Sequence, residues 1–157
     1  MRKVSAEELA KSDYLEYSTY TLEDRAIPCV FDNCKPVQRR ILYAMHEMKI
    51  FHTGNTKKSA RIVGEVIGKY NPHGDEACYG ALVTMTRDSV NNYPYIIGQG
   101  GFGNQIVAKQ ANKRYTEAKL SEYADNYLLK DLNEHVVKYI PNYDEEEMEP
   151  TYLPAVI

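Results

Sequence analysis

Tryptophan is absent from this 157-residue chain, cysteine occurs three times, and no apolar run approaches the roughly 20 residues that span a bilayer. Each lack excludes something. Cys29, Cys34 and Cys78 form an odd set without a Cys-x-x-Cys pair, so neither a disulfide framework nor a zinc knuckle is expected. The charged, broken N-terminus has no signal-peptide core, and the chain reads as soluble and intracellular, in a reducing compartment. There is no Gly-Lys-Ser/Thr string, which excludes a P-loop. Val107-Ala108-Lys109 is faintly kinase-like, but no His-Arg-Asp or Asp-Phe-Gly follows it. No internal repeat is visible. With 43% hydrophobic residues, the length suits one globular domain with an adequate core.

Net charge is also small, at -3, which on its face argues against a polyanion partner. The average hides a segregation. Residues 35 to 69 carry eight Lys/Arg against Glu47 and Glu65, a local +6, whereas residues 121 to 149 carry nine acids against Lys130 and Lys138, a local -7. Such asymmetry fits a polyanion-binding face on one side, and equally two solvated helix faces that differ.

Hydrophobic spacing predicts mostly helices. Ser5 with Glu8 makes a capping box for a first helix that fades near Pro28. Pro36 suits the first turn of a second helix, along which Val37, Ile41, Leu42, Met45 and Met48 recur. Residues 52 to 57 read as a loop. Ile62, Val63, Val66, Ile67 and Tyr70 form the stripe of a third helix, with Lys58, Arg61, Glu65 and Lys69 opposite. After the turn Asn71-Pro72-His73-Gly74, Asp75 is placed as N-cap of a fourth helix running to about Asp88. Two helices joined by a tight Pro/Gly turn make a helix-turn-helix. Tyr93 to Ile97 read as a strand, and Leu120, Tyr123, Tyr127, Leu128 and Leu132 as a final amphipathic helix. Asp144 to Glu147 read as a solvated tail. The expected class is therefore α+β, mainly α with a small β wing, of winged-helix type.

Two motifs carry chemistry. Gly98, Gly100 and Gly103 satisfy G-x-G-x-x-G after a candidate strand, with Glu122 near the ribose-binding distance, but the preceding segment is helical rather than βαβ. A nucleotide site is therefore disfavoured. Arg114-Tyr115-Thr116 follows a dozen residues later. A phenol with an ordinary pKa of about 10 attacks a phosphodiester only with help from a base, cation or metal. Arg114 is one such cation, and the alternative is a packed aromatic at the start of the last helix.

Arg25-Ala26-Ile27-Pro28, the string Lys35 to Met45, Lys57 to Arg61, Gly64 to Tyr70, Pro72 to Asp75, Gly98 to Gly103 and Arg114 to Thr116 follow one another in an order and spacing that resemble the breakage-reunion subunit of type IIA DNA topoisomerases, as in the A-subunits of gyrase and of topoisomerase IV. The resemblance covers roughly residues 14 to 157. It implies that Tyr115 is the nucleophile that holds a 5′ DNA end as a phosphotyrosyl ester, a second protomer cutting the other strand. Arg25 corresponds to a transition-state arginine, and Arg114 and His73 to catalytic neighbours. Expected DNA contacts are Lys35, Arg39, Arg40, Lys57, Lys58, Ser59, Arg61, Lys69, Asn71, Gly74, Asp75 and Gln99. No metal is expected on this chain: Mg²⁺ and ATP are expected on a partner resembling the gyrase B-subunit, with duplex DNA, a homodimer or heteromer, and no membrane. The expected setting is cytoplasmic, in a bacterial cell or a phage-infected host.

The resemblance further implies an N-terminal helical arm over 1–24, a winged-helix cleavage domain over 25–140 and an acidic tail over 141–157 leading toward a tower domain. By itself such a chain is expected to be an inactive part of an ATP-hydrolysing topoisomerase. A module that binds DNA or a topoisomerase without cutting is the competing reading. Asn71 replaces a histidine usual in the family, and Phe31 and Asn33 replace a commonly basic residue and a common glycine. Glu76 and Gly80 stand where bacterial homologues commonly carry the serine and acid that anchor quinolones, so weak quinolone sensitivity is expected.

Overall fold

The computed structural model describes residues 5–104, 106 and 109–155. Residues 1–4 of the expected arm, 107–108 of the kinase-like triplet and 156–157 of the expected tail lie outside them.

The first helix, α1 (Ala6–Thr21), opens as its sequence demands: the Glu8 amide donates to Ser5 Oγ at 3.2 Å, and the Ser5 amide donates to Glu8 Oε2 at 3.1 Å. It runs into one π-helical turn, Leu22–Ala26, and presents Leu9, Tyr14, Leu15 and Tyr17 to solvent. The second helix, α2 (Pro36–Glu47), begins at a proline whose missing N–H would have had no partner anyway, while the Lys35 amide donates to Gln38 Oε1 at 2.9 Å. It ends where Lys49 adopts φ +55°, which returns the Ile50 amide to the Met45 carbonyl and drives Ile50 into the core.

A short strand, β1 (Lys57–Lys58), leads into α3 (Ser59–Lys69) and α4 (Asp75–Thr86), the helix-turn-helix pair. Strands β2 (Ile96–Gln99) and β3 (Glu117–Leu120) complete an antiparallel sheet of order β1-β3-β2, in which Ile96 faces Leu120 and Lys57 faces Ala118. Ile41, Leu42 and Met45 of α2, Ile62 and Val63 of α3, and Leu82 and Met85 of α4 meet Ile96 and Leu120 of the sheet, each at most 1% exposed. Each such side chain contributes about 1.5–3 kcal/mol. Helix, strand, two helices and a two-stranded ribbon form a winged helix, and the β2–β3 connection is its wing.

Several expectations need correction. The final amphipathic helix does not form. Ala118 and Leu120 alternate inward at period two as part of β3, and only one π-helical turn, Ala124–Leu128, follows. Tyr123 and Tyr127 line no amphipathic helix; instead Tyr93, Tyr95 and Tyr127 each stack on Tyr123. The loop assigned to 52–57 yields its last residue to β1, and the strand assigned to Tyr93–Ile97 starts three residues later, after Pro94, which has no N–H for a ladder. The fourth helix ends at Thr86 rather than Asp88, and its N-cap is Gly74. The acidic run is solvent-exposed over 144–147, but it tips a hairpin of β4 (Tyr139–Pro141) and β5 (Met148–Pro150). Glu149 is buried there, because Arg40 pairs with it through two bonds of 2.8 Å.

Candidate functional site

The wing delivers Tyr115 to the surface. The residue is 69% exposed at the last turn before β3, its amide donates to the Asn112 carbonyl at 2.8 Å, and the Arg114 guanidinium lies 5.7 Å from the ring centroid. That spacing is cation–π range, and an exposed phenol beside a fixed cation is chemically available. Asn112 Oδ1 accepts from both the Arg114 amide and its Nε, at 3.2 and 3.3 Å, which curls the segment. Glycine is required opposite it: Gly100 has φ +110°, and a Cβ there would meet the Tyr115 carbonyl oxygen at 3.1 Å. The sheet is antiparallel and β2 leads into the wing rather than a helix, so the glycine string has no dinucleotide-binding unit around it.

Arg25 and His73 meet 48 residues apart in sequence. Arg25 Nη2 lies 2.6 Å from His73 Nε2, and a guanidinium can only donate, so Nε2 accepts and the ring proton sits on Nδ1. That proton points at Asn71 Oδ1, 3.2 Å away, and the same oxygen takes Arg40 Nη1 at 3.4 Å. Asn71 thus supplies an acceptor that faces His73 Nδ1. Arg25, Arg40 and His73 line a cleft floored by Pro36, Val37 and Ala77. Lys113 links this cleft to the wing: its Nζ is 2.6 Å from Asp75 Oδ2 and 3.4 Å from Glu76 Oε1, at the first turn of α4. The hydrogen bond from Lys113 holds the Asp75 carboxyl below its ordinary range. Asp75 is already the first helical residue, because the extended backbone at Gly74 (φ -60°, ψ 143°) makes Gly74 the cap.

The remaining candidate contacts divide by exposure. Lys35, Lys57, Lys58, Arg61, Gly74 and Gln99 are exposed, with Lys58 paired to Glu117 at 2.8 Å and Gln99 accepting from Thr56 at 3.3 Å. Lys69 bridges Glu65 at 2.9 Å and Glu147 at 3.5 Å. Arg39, Ser59 and Asn71 are buried, and the side chain of Arg40 is 21% exposed. Arg39 is held by Asp32, whose fully buried carboxylate takes its Nε at 2.7 Å and its Nη2 at 3.1 Å, together with the amides of Cys34 at 2.9 Å and Leu153 at 2.8 Å. Next to it Asn33 has φ +53°, a conformation asparagine tolerates where glycine is common, and exposed Phe31 packs on Tyr152 at 5.0 Å.

Asp32, Glu149 and Lys113 are the residues that spacing did not reveal. Glu149 and Lys113 act on partners 109 and 37 residues away, and Asp32 on Arg39 seven residues on. Among the described residues, no group of three or more His, Cys, Asp or Glu could hold a metal ion, and no helix is long and apolar enough to cross a membrane.

Comparison with known proteins agrees with this architecture. Residues 25–157 match the family model of the DNA gyrase/topoisomerase IV A-subunit. The chain is 47% identical over 155 residues to the DNA gyrase A-subunit of Spiroplasma citri, covering 99% of this chain and 68% of that protein. It is 46% identical over 154 residues to the DNA topoisomerase 4 A-subunit of Salmonella typhimurium, covering 98% of this chain and 20% of the relative. To the DNA gyrase A-subunit of Campylobacter jejuni it is 49% identical over 152 residues, covering 97% and 18% respectively. The chain spans about a fifth of the length of the last two. A winged helix carrying an exposed Arg-Tyr-Thr on its wing, matched at this identity over nearly its whole length, belongs to the A-subunit family of DNA gyrase and topoisomerase IV.

Proposed function

We propose that this chain is the DNA-cleaving part of a type IIA topoisomerase and that Tyr115 is its nucleophile. The observation that carries the reading is the exposed phenol held beside Arg114 on a wing tied to the first turn of α4. In the reaction the Tyr115 oxygen bonds to the phosphorus, the bond from phosphorus to the 3′ oxygen breaks, the phenol loses its proton and the departing 3′ oxygen gains one. One ester replaces another, so reversal reseals the strand without an added energy source. Arg25 and Arg114 stabilise the charge that develops on the phosphate oxygens, and Arg25 is oriented by the His73 Nε2 lone pair. The exposed cations Lys35, Lys57, Lys58 and Arg61 position the duplex.

Strand passage requires two cuts, so a second protomer supplies the other tyrosine. We assign Mg²⁺ and ATP to a partner of the gyrase B-subunit type, in keeping with the A-subunit family to which the chain belongs. A bacterial or phage-infected cytoplasm is the setting this reading implies.

The test combines the chain with duplex DNA, Mg²⁺ and the partner subunit, and measures protein covalently joined to 5′ ends after denaturation. Tyr115→Phe should lose the adduct and keep DNA binding. A Tyr115→Phe protein that still forms the adduct sinks the assignment. Binding without any adduct from the unsubstituted protein would favour a module that grips DNA without cutting it.

A further inference from the structure

A buried chain of hydroxyls lies directly beneath the segment that carries Tyr115. Tyr79, on α4, is 2% exposed, and Thr116 and Ser59 are fully buried. Tyr79 Oη donates to the Ala111 carbonyl at 2.7 Å and lies 2.9 Å from Thr116 Oγ1, which is itself 2.9 Å from Ser59 Oγ. Thr116 Oγ1 donates to Ser59 Oγ, so the single Tyr79 proton is shared between the Ala111 carbonyl and Thr116 Oγ1, both within hydrogen-bond distance. The backbone closes the same loop: the Ser59 amide donates to the Thr116 carbonyl at 2.9 Å, and the Ala60 amide to the Lys113 carbonyl at 3.1 Å. One phenolic oxygen therefore reaches both ends of the segment 111–116, within which Asn112, Arg114 and Tyr115 are exposed.

We infer that Tyr79 is a positioning residue for cleavage: its hydroxyl clamps residues 111 and 116 to α4, so that seating α4 on DNA places the Tyr115 oxygen at the phosphorus. The inference rests on Tyr115 being the nucleophile. Among the described residues, two side-chain anchors join the segment 111–116 to α4, and their environments rank them. Lys113 pairs with carboxylates of side chains 52% and 78% exposed, where water and salt weaken the attraction. The Tyr79–Thr116 contact is buried and the Tyr79–Ala111 bond part-buried, and losing them leaves the Thr116 hydroxyl and the Ala111 carbonyl short of a partner. Tyr79 is thus the stronger determinant, although Lys113 is the more conspicuous. An error of about 1 Å in a nucleophile's placement slows a reaction by up to about a hundredfold, while DNA affinity, set by charges elsewhere, stays unchanged.

The experiment uses the chain with its partner subunit, Mg²⁺ and duplex DNA, and follows the rate of 5′ adduct formation at saturating DNA alongside the half-saturating DNA concentration. Tyr79→Phe should slow adduct formation about tenfold and change the half-saturating concentration less than twofold. Thr116→Val should slow it comparably, and Thr116→Ser, which keeps the hydroxyl, should restore it. Val63→Ala lowers stability from a site outside the clamp and should leave the rate within twofold at 25 °C. Unchanged rates in folded Tyr79→Phe and Thr116→Val, or an equal loss in Val63→Ala, would overturn the clamp and leave Tyr115 standing. No adduct from the unsubstituted protein overturns both.

Discussion

Replacing Arg39 by methionine separates two roles that the basic segment makes easy to confuse. The guanidinium is buried and forms two bonds to Asp32, whose side chain is fully inaccessible, plus one of 3.2 Å to the Cys34 carbonyl. Methionine preserves most of the packed stem and removes the charge. Breaking one side of a buried pair costs about 3–5 kcal/mol. Asp32 retains the Cys34 and Leu153 amides as donors, which places the expected loss near the lower end, about 3 kcal/mol. At about 2–4 °C per kcal/mol for a chain of this size, Tm should fall by about 6–12 °C, followed by circular dichroism. DNA binding measured well below that Tm should keep its salt dependence. Had Arg39 contacted a phosphate, the slope of log K against log salt would drop by about 0.9. A Tm within about 2 °C of the unsubstituted protein, together with a reduced slope, would refute the reasoning and return Arg39 to the DNA surface.

The hairpin, the thiols and the acid side each give a further prediction. Glu149→Gln removes the carboxylate that holds Arg40, so amide exchange should accelerate over Tyr139–Pro141 and Met148–Pro150 while α3 and α4 stay protected; uniform exchange would contradict this. Burial pushes the Cys34 and Cys78 thiols up to about 12, so an aromatic disulfide reagent at about pH 8 should label the half-buried Cys29 alone until denaturant is added; rapid reaction of all three thiols in the native protein would contradict it. The Asp75 carboxyl is depressed by Lys113, so its folded pKa lies below its unfolded one. The stability it contributes is complete above the ordinary carboxylate range and is lost as pH falls through the folded value. Lys113→Met should therefore flatten the decline in stability between about pH 5 and pH 3, and an unchanged decline would count against the pair.

The helices α1, α2 and α3 were legible because caps and a period of 3.6 act within one turn: Ser5 with Glu8, Pro36, and the stripe of Ile62, Val63 and Val66. The wing was legible as a glycine run, although its strands were displaced. Ala118 and Leu120 declare a strand only through β2, which pairs with them from some 20 residues earlier, and local spacing could not separate that from a helix face. The same limit applies at the site. Arg39 and Arg40 read as surface cations because nothing adjacent announces Asp32 or Glu149, and each acid lies in a stretch that looks solvated. Asp75 read as a cap because its residue type favours that position, whereas the backbone turns helical one residue earlier, directly after the extended Gly74. The one local clue was an acid set between Cys29 and Cys34, just ahead of the basic run.

The central claim is that one tyrosine of 14 attacks DNA. After cleavage in the presence of the partner subunit and Mg²⁺, the trapped adduct can be digested with nuclease and protease, and the nucleotide-bearing peptide sequenced by mass spectrometry. The account predicts a 5′-phosphotyrosyl nucleotide on Tyr115. The same modification on any other residue, or an adduct at a 3′ end, would contradict it.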